Sequence, residues 1–482
     1  MTAENTNTAV ASPVVMNRWF VVIGAVLIQL CLGAIYAWSV FTPSLTADPF
    51  RFSKTQTQII FSVGLATFAG VMILSGLWQA KVGPTRVARL GGIVLGAGYI
   101  LGGLASTSLT GQAAFYAILV TIGLVGGAGI GLAYVVPIAC GVKWFPDKKG
   151  MITGLAVAGF GFGALIWIYL GQGLPSWTHV HWAGLIKPLG VGKVFLLFGV
   201  AFLVLVLLGS IWMKNPPDGW RPAGWQPPTT GTAAATSGAG IQFDWYQMLR
   251  TPQFYMLWFM FIFGALAGLM VIGIIKLFGI DALKANGMSP EQASLTAGTA
   301  MALFYALANG FGRIVWGMVS DRIGRRASLA LMMGIQGVVM LLFFHMGGTP
   351  ALLYLGAALV GFNFGGNFAL FPAATADFFG NKNVGKNYGW VFSAYGVGGI
   401  VGPIMAGMFG DTVGTKGVAA WHPAFIIAGI ACLVAMVLGL LLRAPRPKAV
   451  APTVSVCPMC RSSIPSGAGL ARCPACGAAL AV

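Results

Sequence analysis

The chain has 482 residues, of which 57% are hydrophobic and only 8% are charged. A soluble globular protein carries about a quarter charged residues, so this composition excludes an ordinary soluble domain of this size. The 70 glycines are typical of closely packed membrane helices, because small residues let helix backbones approach one another. The net charge of +18 does not indicate a nucleic-acid binder, since the charges form short clusters between apolar runs and are better explained by membrane orientation.

Twelve apolar stretches are long enough to cross a bilayer, which requires about 20 mostly apolar residues. The predicted spans are 19–41, 57–79, 87–106, 112–137, 151–174, 194–213, 253–275, 293–318, 328–346, 351–374, 388–410 and 423–442. A polar, proline-rich stretch separates the first six spans from the last six and is typical of a linker. The sequence therefore predicts an all-α membrane protein with four parts: an N-terminal six-helix half (1–213), a linker (214–250), a C-terminal six-helix half (251–443) and a tail (444–482).

The distribution of lysine and arginine predicts how these spans are oriented. With the N-terminus inside, 20 of the 28 basic residues fall on the inner side and 7 on the outer side, while Arg313 lies within a span. Positive residues are enriched in cytoplasmic loops, so both termini, the linker and the tail are predicted to be cytoplasmic. We expect a multi-pass protein of the cell (inner) membrane, with the lipid bilayer as a partner.

A loop motif occurs at the same place in both halves, after the second span at 76–83 and after the eighth span at 317–326. The second copy is complete, and its predicted gating residues are Gly317, Asp321, Arg322, Gly324 and Arg325. Two similar six-helix halves are one plan for alternating access, with the substrate site between them near the membrane midplane. The motif resembles the loop that joins helices 2 and 3 and helices 8 and 9 in the major facilitator superfamily, and the resemblance implies that fold.

Further motifs resemble the oxalate/formate antiporter family within that superfamily. They are NRWF at 17–20, Gly33, Tyr36 and Trp38 in the first span, WFPDKKG at 144–150, LRTPQF at 249–254 and NYG at 387–389. The resemblance covers roughly residues 17–443. It implies a transporter rather than an enzyme, and it implies that small carboxylates such as oxalate, formate, lactate or pyruvate move by exchange or proton symport.

Arg313 lies inside the eighth predicted span, where an arginine costs about 2.5–3.5 kcal/mol and usually faces an aqueous cavity. Its planar guanidinium fits a carboxylate, and the resemblance implies that Arg313 binds one. Alternatively, Arg313 extends to the cytoplasmic headgroups, since Asp321 is only about 12 Å further along the helix. Asn309, one turn earlier on the same face, is predicted to bind substrate or orient the guanidinium; the alternative is a polar helix–helix contact.

The resemblance also implies a set of aromatic residues that line the substrate cavity. They are Tyr36, Tyr134, Phe160, Phe364 and Phe368. Aromatic rings exclude water, and tyrosine hydroxyls donate hydrogen bonds to carboxylates. Aromatic residues of membrane helices also serve as packing residues or interface anchors, which is the alternative for this set.

Tyr395 occupies the position where family members that take dicarboxylates have a lysine on helix 11. One arginine neutralises one carboxylate, and a dianion would leave a second charge uncompensated in a low-dielectric site. The sequence therefore favours a monocarboxylate over oxalate, with Tyr395 as a hydrogen-bonding side chain. Lys276, near the outer end of the seventh span, is a candidate second cation, but we expect it to extend to the membrane interface.

Coupling to protons or to ATP has little support in the sequence. The ten acidic residues lie in loops or at the ends of predicted spans. Asn309 occupies the position where the related eukaryotic monocarboxylate carriers have an aspartate, so proton coupling through that residue is not expected. The sequence contains no phosphate loop of the Gly-x-x-x-x-Gly-Lys type, so it does not indicate ATP as the energy source.

The tail carries two Cys-x-x-Cys pairs separated by twelve residues, Cys457 with Cys460 and Cys473 with Cys476. The pattern resembles the knuckles of a zinc ribbon. Four thiolates suit a tetrahedral Zn²⁺, so we expect one structural zinc in the tail and no cofactor for transport; rubredoxin-like iron is the alternative. A small metal-binding module of this kind is also a candidate for binding a cytoplasmic protein partner.

Together these features predict secondary active transport of a small monocarboxylate of the lactate, pyruvate or formate class by alternating access. Two alternatives stay open. The first is oxalate/formate exchange. The second, from a different class, is a non-transporting carboxylate sensor that signals through the zinc-ribbon tail.

Overall fold

The computed structural model describes residues 16–145, 149–174, 182–217, 220–222, 242–380 and 383–445, and in the tail residues 454–456, 463–465 and 476. The chain divides into two compact units, Met1–Arg443 and Ala444–Val482. The described part of the first unit is a helical bundle.

Twelve long helices make up the described part of this bundle. They are α1 (Trp19–Val40), α2 (Lys54–Val82), α3 (Pro84–Ser108), α4 (Gly111–Trp144), α5 (Lys149–Gln172), α6 (Ile186–Ser210), α7 (Pro252–Ala285), α8 (Pro290–Ile323), α9 (Arg325–Met346), α10 (Pro350–Phe379), α11 (Val384–Gly410) and α12 (His422–Leu441). Eleven are long and apolar enough among the described residues to cross a membrane, and α5 adds the shorter apolar stretch Ala158–Gln172. The predicted fold class, two halves of six helices, is confirmed.

Several helices extend beyond the predicted spans. α4, predicted to end at residue 137, continues to Trp144, and α7, predicted to end at residue 275, continues to Ala285. The first prediction stopped at Pro137, and the second stopped before Lys276. A helix satisfies its own backbone hydrogen bonds whatever its side chains are, so it can continue past the apolar stretch without cost to the backbone.

Gly83 and Gly324 form the turns that join α2 to α3 and α8 to α9. Gly83 has φ 89° and ψ 157°, and Gly324 has φ 85° and ψ 159°. Residues with side chains avoid this region of backbone space, which explains a glycine at both positions. A new helix starts at the very next residue in each half, Pro84 and Arg325. The sequence repeat therefore corresponds to a repeated turn geometry.

Arg325 joins three helices at the Gly324 turn. Its Nε donates to Asp377 at the end of α10 at 2.8 Å, and its Nη1 donates to Asp321 on α8 at 2.7 Å. Arg322, predicted to belong to the same gating motif, is exposed. Arg325 is therefore the arginine of this motif that ties α8, α9 and α10 together within the C-terminal half.

The two halves meet along α2 with α11 and along α5 with α8. Glycines on α11 allow a close approach: Gly407 lies against the backbone of Thr55, and Gly396 lies against Ala69. Backbones that approach closely gain van der Waals contact, which is the main source of helix association where lipid replaces water.

At the end of the bundle opposite the Gly324 turn, an ion pair links the two halves. Nζ of Lys54 on α2 lies 2.8 Å from Oδ2 of Asp281 on α7, and the Trp421 indole N–H donates to the same oxygen at 3.0 Å. The Asp411 carboxylate accepts hydrogen bonds from the first N–H groups of α2, where the helix dipole favours a negative charge. We call this the Lys54 end and the other the Gly324 end.

The described part of the second unit contains two short strands. β1 (Val454–Val456) pairs with β2 (Ser463–Pro465) in antiparallel register. Three of the four predicted zinc ligands lie outside the described residues: Cys457, Cys460 and Cys473. The fourth, Cys476, is exposed. The zinc site stays a prediction.

Candidate substrate-binding site

α8 carries Arg313 and Asn309 on one face, because residues four apart are neighbours on a helix. Nε and Nη2 of Arg313 both donate to Oδ1 of Asn309, at 3.2 and 3.0 Å. Asn309 in turn donates from Nδ2 to the Gly361 carbonyl of α10 at 3.5 Å. Arg313 is 7% exposed, so it does not extend to the headgroups. Asn309 holds the guanidinium in one orientation inside the bundle.

The third guanidinium nitrogen of Arg313, Nη1, is buried and has no hydrogen-bond partner among the described residues. Within the same part of the chain, the ion pairs involve other basic residues, and none joins a carboxylate to Arg313. Buried charges are normally paired and fully hydrogen-bonded, because an isolated buried charge is costly. The guanidinium thus has a free hydrogen-bond donor and no counter-charge among the described residues, which suits it to an anionic ligand.

Aromatic side chains from both halves enclose this cation. The hydroxyls of Tyr36 on α1 and Tyr395 on α11 share a hydrogen bond of 3.0 Å. Phe160 of α5 contacts Tyr36 edge-on at 4.9 Å between ring centroids, and Phe368 of α10 lies 5.8 Å from Tyr395. Cζ of Arg313 lies 4.3 Å from the Phe368 centroid, which is a cation–π contact.

Tyr134 and Phe364 complete the predicted set. Tyr134 of α4 contacts Phe160 edge-on at 5.6 Å and Phe68 edge-on at 5.0 Å. Phe364 lies 6.1 Å from Tyr36 between ring centroids. The structure thus brings all eight substrate-site residues named from the sequence into one continuous set of contacts between the halves.

Two further tyrosines belong to this site. The ring of Tyr305 lies 6.2 Å from Phe364, and the ring of Tyr388 lies 5.8 Å from Phe392, between ring centroids. Tyr305 lies eight residues before Arg313 on α8, and Tyr388 lies seven residues before Tyr395 on α11. Both spacings are about two helical turns, so the helical period could have identified them.

Phe68 and Phe392 also lie in the enclosure and were not identified from the sequence. Their ring centroids are 5.9 Å apart, and Phe68 contacts Tyr134 at 5.0 Å. Phe68 belongs to α2 of one half and Phe392 to α11 of the other. Nothing in the local sequence separates them from the other apolar residues of these helices, because only the packing of α2 on α11 brings them to the site.

The site combines one fixed positive charge, neutral hydroxyl donors and a wall of aromatic rings. Rings that exclude water lower the local dielectric constant, which strengthens every charge interaction inside the site. Tyr36 and Tyr395 are 3% and 0% exposed, so the site is closed to solvent in this conformation. Such an arrangement can bind a small anion and shield it from water.

Lys276 does not extend to the membrane interface, and that expectation is wrong. It is 3% exposed, and its Nζ donates to Oε1 of Gln172 on α5 at 2.6 Å. The reason is the length of α7, which continues for nine residues after Lys276 to Ala285. A position near the end of the predicted span therefore lies well inside the bundle.

Two six-helix halves that enclose a buried cation are an architecture of membrane carriers. The chain belongs to the Major Facilitator Superfamily, whose profile matches residues 23–291 and 277–456. It is a multi-pass membrane transporter by family and by its apolar helices.

Several known proteins are similar to this chain. It is 28% identical over 437 residues to the oxalate:formate antiporter of Oxalobacter formigenes, covering 90% of this chain and 94% of the relative. It is also 28% identical over 485 aligned positions to apicoplast pyruvate carrier 1 of Toxoplasma gondii, covering 83% and 86%. The fold matches a bacterial homologue of the human lysosomal transporter Spinster in an inward-facing, unoccupied conformation, with a TM-score of 0.59, 15% identity and coverage of 88% and 96%.

Proposed function

We propose that this protein carries a small monocarboxylate, of the lactate, pyruvate or formate class, by alternating access. The observation that carries the proposal is the buried Arg313 guanidinium. Asn309 holds two of its nitrogens and leaves Nη1 without a partner among the described residues. A carboxylate matches this planar donor, and the hydroxyls of Tyr36, Tyr134 and Tyr395, which belong to the same aromatic enclosure, are the proposed donors to its second oxygen.

Tyr395 favours a monocarboxylate over a dicarboxylate. Its side chain is a neutral hydroxyl hydrogen-bonded to Tyr36. Among the described residues, Arg313 is the one cation in contact with the aromatic enclosure. A second carboxylate would be buried without a counter-charge, which disfavours its binding.

Oxalate/formate exchange is the second candidate, and the similarity to a protein named oxalate:formate antiporter over 90% of this chain favours it. The similar apicoplast pyruvate carrier is named for a monocarboxylate. Both names point to carboxylates as the substrate class. Within that class, the hydroxyl of Tyr395 supports the monocarboxylate.

For the orientation, we propose that the Gly324 end faces the cytoplasm of a cell with this protein in its inner membrane. Basic residues predominate on that side by 20 to 7 in the predicted topology. Large apolar side chains such as Leu101, Leu124 and Leu440 are about half exposed on the sides of the bundle, which supports contact with lipid there.

Exchange rather than net uptake follows from the charge of Arg313. In the empty carrier, closing a dry site around this guanidinium costs desolvation free energy, since no acid of the described residues pairs with it. A bound monocarboxylate removes most of that cost. The loaded carrier therefore reorients faster than the empty one.

Purified protein in proteoliposomes tests the proposal. A thermal-shift screen of small carboxylates selects a ligand, because a ligand stabilises the state that it binds. Labelled uptake is then compared with and without the same ligand inside. Uptake should be several-fold faster with internal ligand. Rapid net uptake into empty vesicles, driven by a pH gradient and unaffected by internal ligand, contradicts exchange, and ligand binding without flux identifies the sensor instead.

A further inference from the structure

A cavity of about 460 Å³ opens at the Lys54 end, between the two halves and apart from the Arg313 site. Trp182 and Ile186 line it from the N-terminal half, and Ser294 and Leu295 line it from the C-terminal half. Two of its lining residues, Lys276 and Gln172, have hydrogen-bond donors without a partner among the described residues. A small carboxylate would fit this volume.

Lys276 carries a buried amino group that has no carboxylate partner in the described part of the chain. It is 3% exposed, and its Nζ donates a hydrogen bond to Gln172 Oε1 at 2.6 Å. The ion pairs formed by the described acidic residues involve other basic side chains. An ammonium group has three donors, so two of them are open to a ligand in the cavity.

Gln172 supplies a second donor beside Lys276. Because Oε1 accepts from the ammonium group, the amide nitrogen Nε2 is directed elsewhere, and it is buried without a partner among the described residues. Gly298 of α8 packs directly against this amide, so that any side chain at position 298 would overlap it. The packing holds the Gln172 amide in place beside the amino group of Lys276, and both residues line the cavity.

The position of Lys276 separates it from Arg313. On α7, Lys276 lies eight residues, about 12 Å, towards the Lys54 end from Gly268, whose carbonyl accepts the Tyr305 hydroxyl at 3.1 Å. On α8, Arg313 lies eight residues from Tyr305 towards the Gly324 end. The two cations are therefore on opposite sides of the Tyr305–Gly268 contact, too far apart for one small carboxylate to touch both.

We propose that Lys276 and Gln172 form a second carboxylate site, which holds the substrate before it reaches Arg313 and after it leaves. We call it the Lys276 site. The proposal rests on the proposed transport of a monocarboxylate and adds a site that acts only at the Lys54 end. A cation in a partly enclosed cavity attracts small anions and raises their local concentration. Lys187 and Glu291 form an exposed ion pair at the rim of the cavity. Lys276 lies deeper in the cavity and takes no part in that pair.

Side-specific kinetics test the Lys276 site in proteoliposomes of one orientation. Lys276→Gln should raise the KM for carboxylate added at the Lys54 end about tenfold, with less than a twofold change in kcat and in the KM at the Gly324 end. Lys276→Arg should retain most of the affinity at the Lys54 end. Lys284→Gln, which removes a positive charge from an exposed position of α7 that does not line the cavity, is the matched control and should change neither KM more than twofold. Equal effects of Lys276→Gln on both KM values, or none, overturn the proposal.

A thiol variant separates charge from folding. Lys276→Cys is treated from the Lys54 end with membrane-impermeant thiosulfonates that attach either an ammonium or a sulfonate group. The ammonium group should restore the lower KM, the sulfonate should not, and carboxylate should slow the modification. If the ammonium and sulfonate reagents have the same effect on the KM at the Lys54 end, the proposal is overturned. If the wild-type protein exchanges no carboxylate, the proposed function fails; if it does and Lys276→Gln retains the wild-type KM values, only the Lys276 site fails.

Discussion

The hydroxyls of Tyr36 and Tyr395 lie 3.0 Å apart and connect α1 of the N-terminal half to α11 of the C-terminal half. Both side chains are buried, and Phe368, which packs on the Arg313 guanidinium, contacts Tyr395. In alternating access the halves move relative to one another, so a hydrogen bond between them at the substrate site has to change during each cycle. Closure of the halves and binding of the ligand therefore involve the same two hydroxyls.

Removal of this hydrogen bond gives the first prediction. A buried hydrogen bond contributes about 0.5–1.5 kcal/mol, so Tyr36→Phe and Tyr395→Phe should each lower kcat/KM for exchange roughly two- to tenfold. The kcat/KM of the double variant should be no lower than that of the more impaired single variant, because both changes remove the same bond. Tyr116→Phe, at an exposed position of α4, is the control. Losses that multiply in the double variant would show that the two hydroxyls act independently.

Tyr395→Lys gives the second prediction. A lysine at this position adds a second cation beside Arg313, so the affinity for oxalate should rise about tenfold or more relative to that for a monocarboxylate. Tyr395→Met removes the hydroxyl without adding charge and should not change the preference. The measurement is competition of both anions for labelled exchange. Unchanged selectivity in the lysine variant would show that position 395 does not set the charge of the substrate.

The packing of α8 on α10 gives the third prediction. A Cβ at Gly312 would overlap the Phe362 carbonyl, whereas a Cβ at Gly310 has no heavy atom within 4 Å. Gly312→Ala should lower the free energy of unfolding by about 1–3 kcal/mol and displace Arg313, its neighbour, with loss of ligand-induced stabilisation. Gly310→Ala should keep wild-type binding. The measurement is thermal unfolding with and without carboxylate, and equal behaviour of the two variants would rule out this packing.

The tail gives the fourth prediction. Metal analysis of the purified protein should find about one zinc per chain, since one closed four-cysteine site binds one ion. Cys457→Ser should release it, while Cys432→Ser, in α12, should not. Deletion of residues 450–482 should leave exchange intact. Iron in place of zinc, or no metal, contradicts the zinc assignment; a deletion that abolishes flux contradicts a tail that is separate from transport.

Much of the fold and part of the site could be predicted from the sequence. A bilayer demands long apolar helices, so the twelve spans are visible as apolar runs. Arg313 stands out because charge is rare inside such runs. Phe68 and Phe392 could not be identified, since an aromatic residue that lines a site looks like one that packs against lipid. Lys276 was misplaced because the hydropathy pattern does not reveal where α7 ends.

The most direct measurement compares carboxylate exchange by the wild-type protein, Arg313→Lys and the control Arg89→Lys, which alters an exposed arginine of α3. Hydrogen bonds to a charged group contribute about 1.5–3 kcal/mol each, so losing the paired donor geometry should cost roughly 30-fold or more in affinity. A lysine at position 313 retains the charge but not the planar pair of donors. We predict at least a 30-fold fall in carboxylate affinity and loss of exchange in Arg313→Lys, with Arg89→Lys unchanged. Near-normal affinity and exchange in Arg313→Lys would contradict the assignment of Arg313 as the carboxylate anchor.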